Sequence, residues 1–485
     1  MATVAEGTVL RNYIAGRFRE GSGDRLITAL NPSDASDVVA RVPAGSPEDA
    51  RAAVEAAQGA LEAWRRLPGP ARSEHLYRWA AVVEERKEEL ARAVSREVGK
   101  PIGEARGEVA RCVVILRYYA GEAVREVGEV VPAQVEGALQ FTLREPVGVV
   151  ALITPWNFPV AIPLWKAAPA LAFGNTVVLK PSEQASHVAT LLAETAEAAG
   201  LPAGVFNVVL GGGAEVGESL IRAEGVRAVS FTGSATIGGR VASICAERNI
   251  RYQTEMGGKN VVIVAGDADL DLAARLTASG AMRYAGQKCT ATSRAVVVRS
   301  VAESFFEKLR REVEALPLGP VEDPQAAVGP LISEAARERV RRAVEAADAE
   351  RLCGGGLPTD PRFARGFFFV PTVLRDVDPA SPVAQDELFG PVLATFVVED
   401  LDEAIEVANR TRYGLSASLF TRDIGNVLSY LRRIEAGLVR VNGDTTGVDP
   451  HAPFGGVKGS SSGSREQGSA AREFYTEIKT VQINA

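Results

Sequence analysis

A cysteine at position 289 is the strongest candidate for chemistry in this sequence. Cys289 follows Lys288 in a stretch of small and polar residues that begins at Gly286. A neighbouring cation favours the thiolate, which is the nucleophilic form, so Lys288 is expected to make Cys289 a better nucleophile. The alternative is a small buried hydrophobe, the usual state of a free cysteine, and spacing alone leaves that open.

Two further residues offer complementary chemistry. Glu255 lies beside two glycines and directly before an apolar strand, where burial would raise its pKa and let it act as a general base on water. Asn157 stands between Trp156 and Phe158, and its amide could donate a hydrogen bond to a developing oxyanion. Each has a plain alternative, which is a solvated turn residue for Glu255 and a structural turn asparagine for Asn157.

The elements that must position these residues alternate between apolar strands and helices from residue 147 onward. That alternation is typical of nucleotide-binding α/β folds, whose ligands lie at the carboxyl ends of the strands. Ser234 sits where a strand turns into a helix, and backbone N–H groups there suit a pyrophosphate, although a tight glycine turn is the alternative. Lys180 and Glu183 follow another strand and could bind the ribose hydroxyls of an adenosine, or form a surface ion pair.

A cysteine hydrolase would need a histidine base, but the chain has only three histidines and none has an obvious partner. Cysteine, glutamate and asparagine together with a nucleotide fold therefore favour an oxidative acyl-transfer chemistry. So few histidines also make a multi-histidine metal site unexpected.

The remaining patterns indicate supporting elements. Residues 8–45 predict short strands and turns, and Ser46 with the following proline predicts a helix start. Residues 127–145 predict a hairpin-like pair of strands, residues 460–464 a polar loop, and the C-terminal residues a strand. The helices predicted beyond residue 257 include 269–285, 305–315 and 333–349.

Composition excludes several classes of protein. The chain has 485 residues, a net charge of −7 and 46% hydrophobic residues, as a soluble enzyme of two or three domains would have. The negative charge argues against nucleic-acid binding. Four scattered cysteines, the absence of a signal-like N-terminus and the absence of a run of transmembrane length predict a cytoplasmic protein with no membrane partner.

Taken in order, several motifs resemble those of the NAD(P)-dependent aldehyde dehydrogenases. No single motif is specific, but their order along most of the chain is. The residue after the motif glutamate is Met256, where the family usually has leucine, and that exchange conserves volume. The matching segments are 154–159, 180–183, 231–238, 255–259, 286–289, 387–391 and 453–458.

The resemblance implies a role for each matching residue. Cys289 would attack the aldehyde, Asn157 and the Cys289 backbone N–H would form the oxyanion hole, and Glu255 would activate the water that hydrolyses the thioester. The implied cofactor is NAD or NADP. The residues implied to bind it are Thr154, Pro155, Trp156, Lys180, Ser182, Glu183, Gly213, Phe231, Thr232, Gly233, Ser234, Ile237, Glu255, Gly257, Glu387 and Phe389.

The resemblance also implies an α/β fold in three parts: a Rossmann-type nucleotide-binding domain, an α/β catalytic domain and a small β oligomerisation element. It further implies a homo-oligomer, either a dimer or a tetramer. The corresponding ranges are 1–126 with 147–256 for the NAD(P)-binding domain, 257–458 for the catalytic domain, and 127–146 with 459–485 for the oligomerisation domain.

The implied substrate is a small aldehyde that carries a carboxylate. Arg283 occupies a tunnel position where an arginine resembles the semialdehyde dehydrogenases, and its guanidinium would anchor the distal carboxylate. The alternative is a surface ion pair that points away from the tunnel. Arg111 is a second tunnel cation, and Phe158, Trp165 and Phe454 would line the aldehyde tunnel.

Within the family, the segments around Cys289, Phe454 and Glu466 resemble the α-ketoglutarate semialdehyde (2,5-dioxopentanoate) dehydrogenases. A succinate semialdehyde or broad-range enzyme is the first alternative, and a non-catalytic binding protein on the same fold is the second. Glu183 favours NAD, because a carboxylate repels a 2′-phosphate, yet NADP stays open.

Overall fold

A computed structural model describes residues 8–125 and 128–484. Its strands, numbered along the chain, are β1 Asn12–Ile14, β2 Arg17–Arg19, β3 Leu26–Asn31, β4 Asp34–Pro43, β5 Val130–Val131, β6 Leu139–Pro146, β7 Val149–Ile153, β8 Thr176–Lys180, β9 Phe206–Val208, β10 Val226–Thr232, β11 Arg251–Glu255, β12 Asn260–Val264, β13 Thr292–Val298, β14 Glu350–Cys353, β15 Thr372–Arg375, β16 Val392–Val398, β17 Tyr413–Gly414, β18 Ser416–Phe420, β19 Leu438–Val441, β20 Val457–Lys458, β21 Ser461–Ser462 and β22 Thr476–Ile483.

The helices pack on both faces of the larger sheets. They are α1 Pro47–Arg66, α2 Gly69–Glu85, α3 Lys87–Val98, α4 Ile102–Glu122, α5 Ala161–Ala172, α6 Ser186–Ala198, α7 Glu218–Arg222, α8 Ala235–Glu247, α9 Leu270–Met282, α10 Ala302–Glu314, α11 Glu334–Glu345, α12 Pro382–Gln385, α13 Leu401–Asn409, α14 Ile424–Arg433 and α15 Ala471–Tyr475. The predicted start of α1 is confirmed by a capping box. The Ser46 side chain accepts from the backbone N–H of Asp49, and the Asp49 side chain accepts from the backbone N–H of Ser46.

The first large sheet has the strand order β2-β1-β9-β8-β7-β10-β11-β21. Strands β7 to β11 pair in parallel. β7 is apolar throughout, β8 is apolar at residues 177–179, and both strands are buried on both faces, as central strands under two helix layers must be. The chain order runs outward in both directions from the β7–β10 pair. This is the arrangement in which a ligand crevice opens at the carboxyl ends of the two middle strands.

The second large sheet has the order β14-β15-β16-β13-β12-β18-β19 and is parallel except at β14. Helix α9 precedes β13, but the predicted helix 269–285 is too long. It ends at Met282, because Tyr284 and Ala285 take left-handed backbone angles with φ of 55° and 51°. That kink turns the chain toward Cys289 before β13 begins.

The predicted pair of strands around residue 135 is confirmed, since β5 and β6 pair antiparallel and β22 adds to the free side of β6. Residue 127, the first of the predicted ribbon, lies outside the described residues. The prediction of a loop at 460–464 is wrong in part: Ser461 and Ser462 form β21, which pairs with Glu255 and Thr254 at the edge of the first sheet. None of the described helices is both long enough and apolar enough to cross a membrane.

Candidate active site

Asn157 reaches the segment that carries the cysteine. It follows β7, is buried, and its Nδ2 donates to the backbone carbonyl of Gln287 at 3.0 Å. Gln287 is itself fixed, because its Oε1 accepts from the Ile332 N–H at 2.9 Å and its Nε2 donates to the Pro330 carbonyl at 3.1 Å. An amide from one sheet therefore sits beside the turn that holds Cys289.

The turn before Cys289 is tightly packed. Gly286 has a φ of +65°, and a Cβ there would lie 2.3 Å from the carbonyl oxygen of Gly390. Asn260, at the start of β12, donates to the Cys289 carbonyl at 2.8 Å. The thiol is thus held on a rigid backbone, partly exposed, with Phe454 and Leu415 in the apolar cluster against which it packs.

The expected activation of Cys289 by its neighbouring lysine is wrong. Lys288 Nζ donates to Glu104 Oε2 at 2.9 Å, so its charge is matched by a different group. The pKa of Cys289 is instead raised to about 12, first by burial and then by the carboxylates of Glu387 and Glu255. The resting thiol is therefore protonated at neutral pH.

Glu255 ends β11 and is buried, as a base with a raised pKa requires. Its Oε2 accepts from the Ser461 hydroxyl at 2.5 Å, while its Oε1 has no hydrogen-bond partner in the described part of the chain. Burial raises the pKa of Glu255 well above its usual range, and Glu466 raises it further. The plain alternative, a solvated turn residue, is therefore excluded.

Behind Glu255 lies a buried polar network that the sequence analysis missed. Lys166 pairs with Glu466, and both are almost completely buried. Lys166 also donates to the Ser230 hydroxyl at 2.8 Å, and Gln253 Nε2 donates to the same hydroxyl at 2.8 Å. A buried ion pair needs such additional hydrogen bonds to offset desolvation. The sequence did contain a signal for this network, since Lys166 directly follows Trp165 and Glu466 lies in a segment that resembles the semialdehyde dehydrogenases.

The carboxyl ends of β7 and β10 carry polar atoms that have no hydrogen-bond partner among the described residues. Thr154 follows β7 and Thr232 ends β10, and the hydroxyl of each is buried without a hydrogen-bond partner among residues 8–125 and 128–484. Ser234 caps α8, its Oγ accepting from the Ile237 N–H at 3.4 Å. A helix N-terminus and unpaired hydroxyls at this edge fit the pyrophosphate of a dinucleotide.

The predicted adenosine end lies one strand further along. Lys180 ends β8 and is buried, and its Nζ donates to the Gly211 carbonyl at 2.8 Å. Burial lowers the pKa of Lys180 to about 8, with Glu183 acting in the opposite direction. A surface ion pair is thereby excluded for Lys180. Ser182 begins the short helical turn that carries Glu183, its Oγ accepting from the Gln184 N–H at 3.3 Å.

The predicted nicotinamide end lies against the catalytic segment. Glu387 accepts from the Gly258 N–H at 3.1 Å, and a Cβ on Gly257 would lie 2.1 Å from Glu387 Oε2, so a side chain there would displace the Glu387 carboxylate. Burial raises the pKa of Glu387 to about 7. The rings of Trp156 and Phe389 meet edge to face, 5.6 Å apart. Of the other predicted cofactor residues, Pro155 lies in the loop after β7, Gly213 starts a helical turn after β9, Phe231 lies in β10 and Gly233 follows it.

A cavity of about 580 Å³ leads to Cys289. Its wall contains every residue that the sequence analysis assigned to the substrate: Phe158, Trp165, Arg111, Arg283 and Phe454. Trp165 is held by its Nε1, which donates to Glu466 at 2.9 Å, and it packs on Phe454 with ring centres 5.7 Å apart. The cavity therefore brings the thiol, three aromatic side chains and two arginines to one wall, together with the carboxylates of Glu104 and Glu108.

The two arginines of this cavity differ in their partners. Arg283 is 44% exposed and lies 3.6 Å from Glu104, a carboxylate that also binds Lys288. Arg111 is half-buried on α4, and within the described residues it makes no ion pair and leaves its Nε buried without a hydrogen-bond partner. Arg111 is therefore the less compensated cation, although the sequence analysis ranked Arg283 first.

Comparison with known proteins places the chain among the aldehyde dehydrogenases. The sequence profile described as the aldehyde dehydrogenase family matches residues 18–481. The chain is 44% identical over 486 residues to the alpha-ketoglutaric semialdehyde dehydrogenase of Bacillus subtilis, covering 100% of both chains. It is 43% identical to the alpha-ketoglutarate semialdehyde dehydrogenase of Haloferax volcanii, over 97% of this chain and 98% of that one.

A solved structure is similar over the same extent. The NAD-dependent aldehyde dehydrogenase from Sinorhizobium meliloti superposes with a TM-score of 0.96 at 37% identity, covering 100% of this chain and 96% of that one. The predicted fold class, with a Rossmann-type unit and a second α/β unit, is thereby confirmed.

Proposed function

The chain belongs to the aldehyde dehydrogenase family, and from this premise we propose that it oxidises 2,5-dioxopentanoate, the semialdehyde of 2-oxoglutarate, to 2-oxoglutarate. The observation that carries the proposal is the cavity at Cys289, because the thiol and two arginines line the same cavity. A molecule with an aldehyde at one end and a carboxylate at the other could contact both groups. The two relatives named above carry this substrate in their names.

Cys289 would attack the aldehyde carbon, and because the resting thiol is protonated, its proton would pass to the carbonyl oxygen as the C–S bond forms and give a thiohemiacetal. The oxygen of the thiohemiacetal would take up hydrogen bonds from Asn157 Nδ2 and the Cys289 backbone N–H. Asn157 now donates to the Gln287 carbonyl, so its amide already points at this segment.

Hydrolysis would rest on Glu255. Its raised pKa makes its carboxylate a stronger base, which takes a proton from water more readily. Its free Oε1 is the atom placed to accept that proton, since Oε2 is occupied by the Ser461 hydroxyl. This carboxylate favours release of the product as a free acid.

The nicotinamide cofactor would occupy the crevice at β7 and β10, where the unpaired hydroxyls of Thr154 and Thr232 and the cap of α8 fit a pyrophosphate. Lys180 and Glu183 would hold the adenosine ribose, and Glu387 the nicotinamide ribose. When bound, the nicotinamide supplies the hydride acceptor for oxidation. Glu183 favours NAD over NADP, because a carboxylate repels a 2′-phosphate.

Assembly and location complete the proposal. The antiparallel sheet β22-β6-β5 exposes Val130, Leu139 and Ile478, a set of apolar side chains that a second copy would cover in a dimer or tetramer. The four cysteines are unpaired, in keeping with a reducing, cytoplasmic location.

A kinetic panel tests the substrate class. The values of kcat/KM for 2,5-dioxopentanoate, succinate semialdehyde and the uncharged aldehyde pentanal are compared with NAD⁺ and NADP⁺ in parallel. We expect the carboxylate-bearing aldehydes to exceed pentanal by about tenfold or more, since a charge-assisted hydrogen bond contributes about 1.5–3 kcal/mol. An equal rate with pentanal would contradict the proposal and favour a broad-range enzyme.

The source of that preference is tested on the cavity arginines. Arg111→Leu and Arg283→Leu should each reduce the preference for a carboxylate, with the larger loss at Arg111. Arg106→Leu is the matched control, because Arg106 lies on the same helix but binds Glu88 at the surface. If neither cavity variant changes the preference relative to the control, the carboxylate does not bind there.

A further inference from the structure

Gln467 lines the cavity that leads to Cys289, and no role was assigned to it above. The residue is 1% exposed, and both its amide nitrogen Nε2 and its amide oxygen Oε1 lack a hydrogen-bond partner among the described residues. A buried carboxamide without partners is costly, because it gives up hydrogen bonds to water and gains none in the protein. Such a group requires a hydrogen-bond partner that the described residues do not provide.

The backbone at Gln467 is also unfavourable for a residue with a side chain. Its φ of 58° and ψ of 174° lie in a region that glycine tolerates and other residues rarely enter. The position is fixed from both sides, since Glu466 and Phe454 exchange two backbone hydrogen bonds of 2.7 and 2.8 Å and the Ala471 N–H donates to the Gln467 carbonyl at 3.3 Å. Glycine would relieve the strain here, yet the sequence has a glutamine.

The same cavity contains a second polar atom without a hydrogen-bond partner among the described residues, the Nε of the Arg111 guanidinium. A guanidinium without a carboxylate partner suits the carboxylate of a substrate. A carboxamide is neutral and can donate a hydrogen bond to a carbonyl oxygen. A 2-oxo acid presents these two acceptors side by side, a carboxylate and a neutral carbonyl on the next carbon.

We propose that Gln467 is a specificity-determining residue, whose Nε2 donates a hydrogen bond to the 2-oxo oxygen of the substrate while Arg111 pairs with the adjacent carboxylate. The inference rests on the function proposed above and extends it from carboxylate-bearing aldehydes in general to 2-oxo acids. A semialdehyde without the oxo group would leave the buried carboxamide unpaired in the complex, and sites built around a hydrogen bond reject such analogues.

Two substrates that differ only at this group provide the test. Glutarate semialdehyde has the same chain length, aldehyde and carboxylate as 2,5-dioxopentanoate but a methylene in place of the 2-oxo carbonyl. We expect the unmodified enzyme to favour the oxo compound in kcat/KM, and Gln467→Met, which keeps the length of the side chain without its amide, to reduce that ratio about tenfold. Both substrates are assayed on one preparation, so the ratio is independent of the fraction of folded enzyme.

Two controls separate the possible outcomes. Arg111→Leu removes the carboxylate partner, which both substrates share, so it should lower kcat/KM for both by similar factors and leave their ratio within about twofold. Gln467→Leu repeats the test with a differently shaped side chain. If both Gln467 variants leave the ratio unchanged, the carboxamide has a structural role only and the inference is overturned.

The outcome for the unmodified enzyme keeps the two proposals apart. If the enzyme prefers carboxylate-bearing aldehydes to pentanal but does not distinguish the two matched substrates, the specificity role of Gln467 is refuted and the proposed substrate class stands. If it shows no preference for a carboxylate, the proposed function itself fails.

Discussion

The thiol of Cys289 should react with iodoacetamide much more slowly than an ordinary cysteine in the cofactor-free enzyme at neutral pH. Its pKa is raised to about 12, because partial burial disfavours the charged thiolate and the carboxyl groups of Glu387 and Glu255 lie nearby. At about pH 7.5 the thiolate fraction is then roughly 3000-fold below that of a cysteine with a pKa of about 8.5. A more basic thiolate is also the better nucleophile, and this raises the alkylation rate by a factor of about 40, which offsets part of that loss. The net rate should be lower by roughly two orders of magnitude.

The pH dependence is the more decisive measurement. Because the thiolate is the reacting species, the alkylation rate should rise about tenfold per pH unit from about pH 7 to about pH 10 without levelling off. The rate is followed by mass spectrometry of the peptide that contains Cys289. Cys289→Ser serves as the control, since Cys112, Cys245 and Cys353 are buried and should react little.

A charge variant tests the cause of the shift. Glu387 is the largest electrostatic contribution to the raised pKa of Cys289, and with its own pKa near 7 it is charged over most of this range. Glu387→Gln should therefore move the alkylation profile to lower pH, whereas Glu399→Gln, at an exposed glutamate paired with Arg299, should not. A rate that levels off below about pH 9 in the unmodified enzyme would refute the whole argument, because it would indicate a thiol of ordinary acidity.

Two further predictions concern the oxyanion and the base. Asn157→Ala should lower kcat by about a hundredfold or more, as loss of one preorganised oxyanion donor does in other enzymes. Cofactor affinity, measured by fluorescence titration, should change little. An effect on cofactor affinity alone would count against Asn157 as the oxyanion donor. Glu466→Gln should lower the pKa of Glu255, because the Glu466 charge helps to raise it, so the acidic limb of the pH–kcat profile should move to lower pH. An unchanged pH profile would show that Glu466 does not act on Glu255. The same variant leaves Lys166 buried without an ion-pair partner, which should lower the free energy of unfolding by about 3–5 kcal/mol in thermal unfolding. Combining Lys166→Met with Glu466→Gln should recover part of that loss.

The sequence by itself determined much of the local structure. β7 is a continuous apolar run, β8 has apolar residues at 177–179, and Ser46 stands directly before a proline, so these strands and this helix start could be predicted from adjacent residues. Cys289, Glu255 and Asn157 could be named as candidates for the same reason, because each lies in a short contiguous motif.

Tertiary structure decided what depends on distant partners. The effect of Lys288 on Cys289 was wrongly predicted because the lysine binds Glu104, 184 residues away in the chain. β21 was missed because its two residues pair with β11, more than 200 residues earlier, and show no pattern of their own. The Lys166–Glu466 pair and the unpartnered amide of Gln467 are defined by which groups meet in the folded chain and which do not. Hydrogen bonding and desolvation act over a few ångströms in space, so their outcome follows from the packing of segments that the linear order keeps apart.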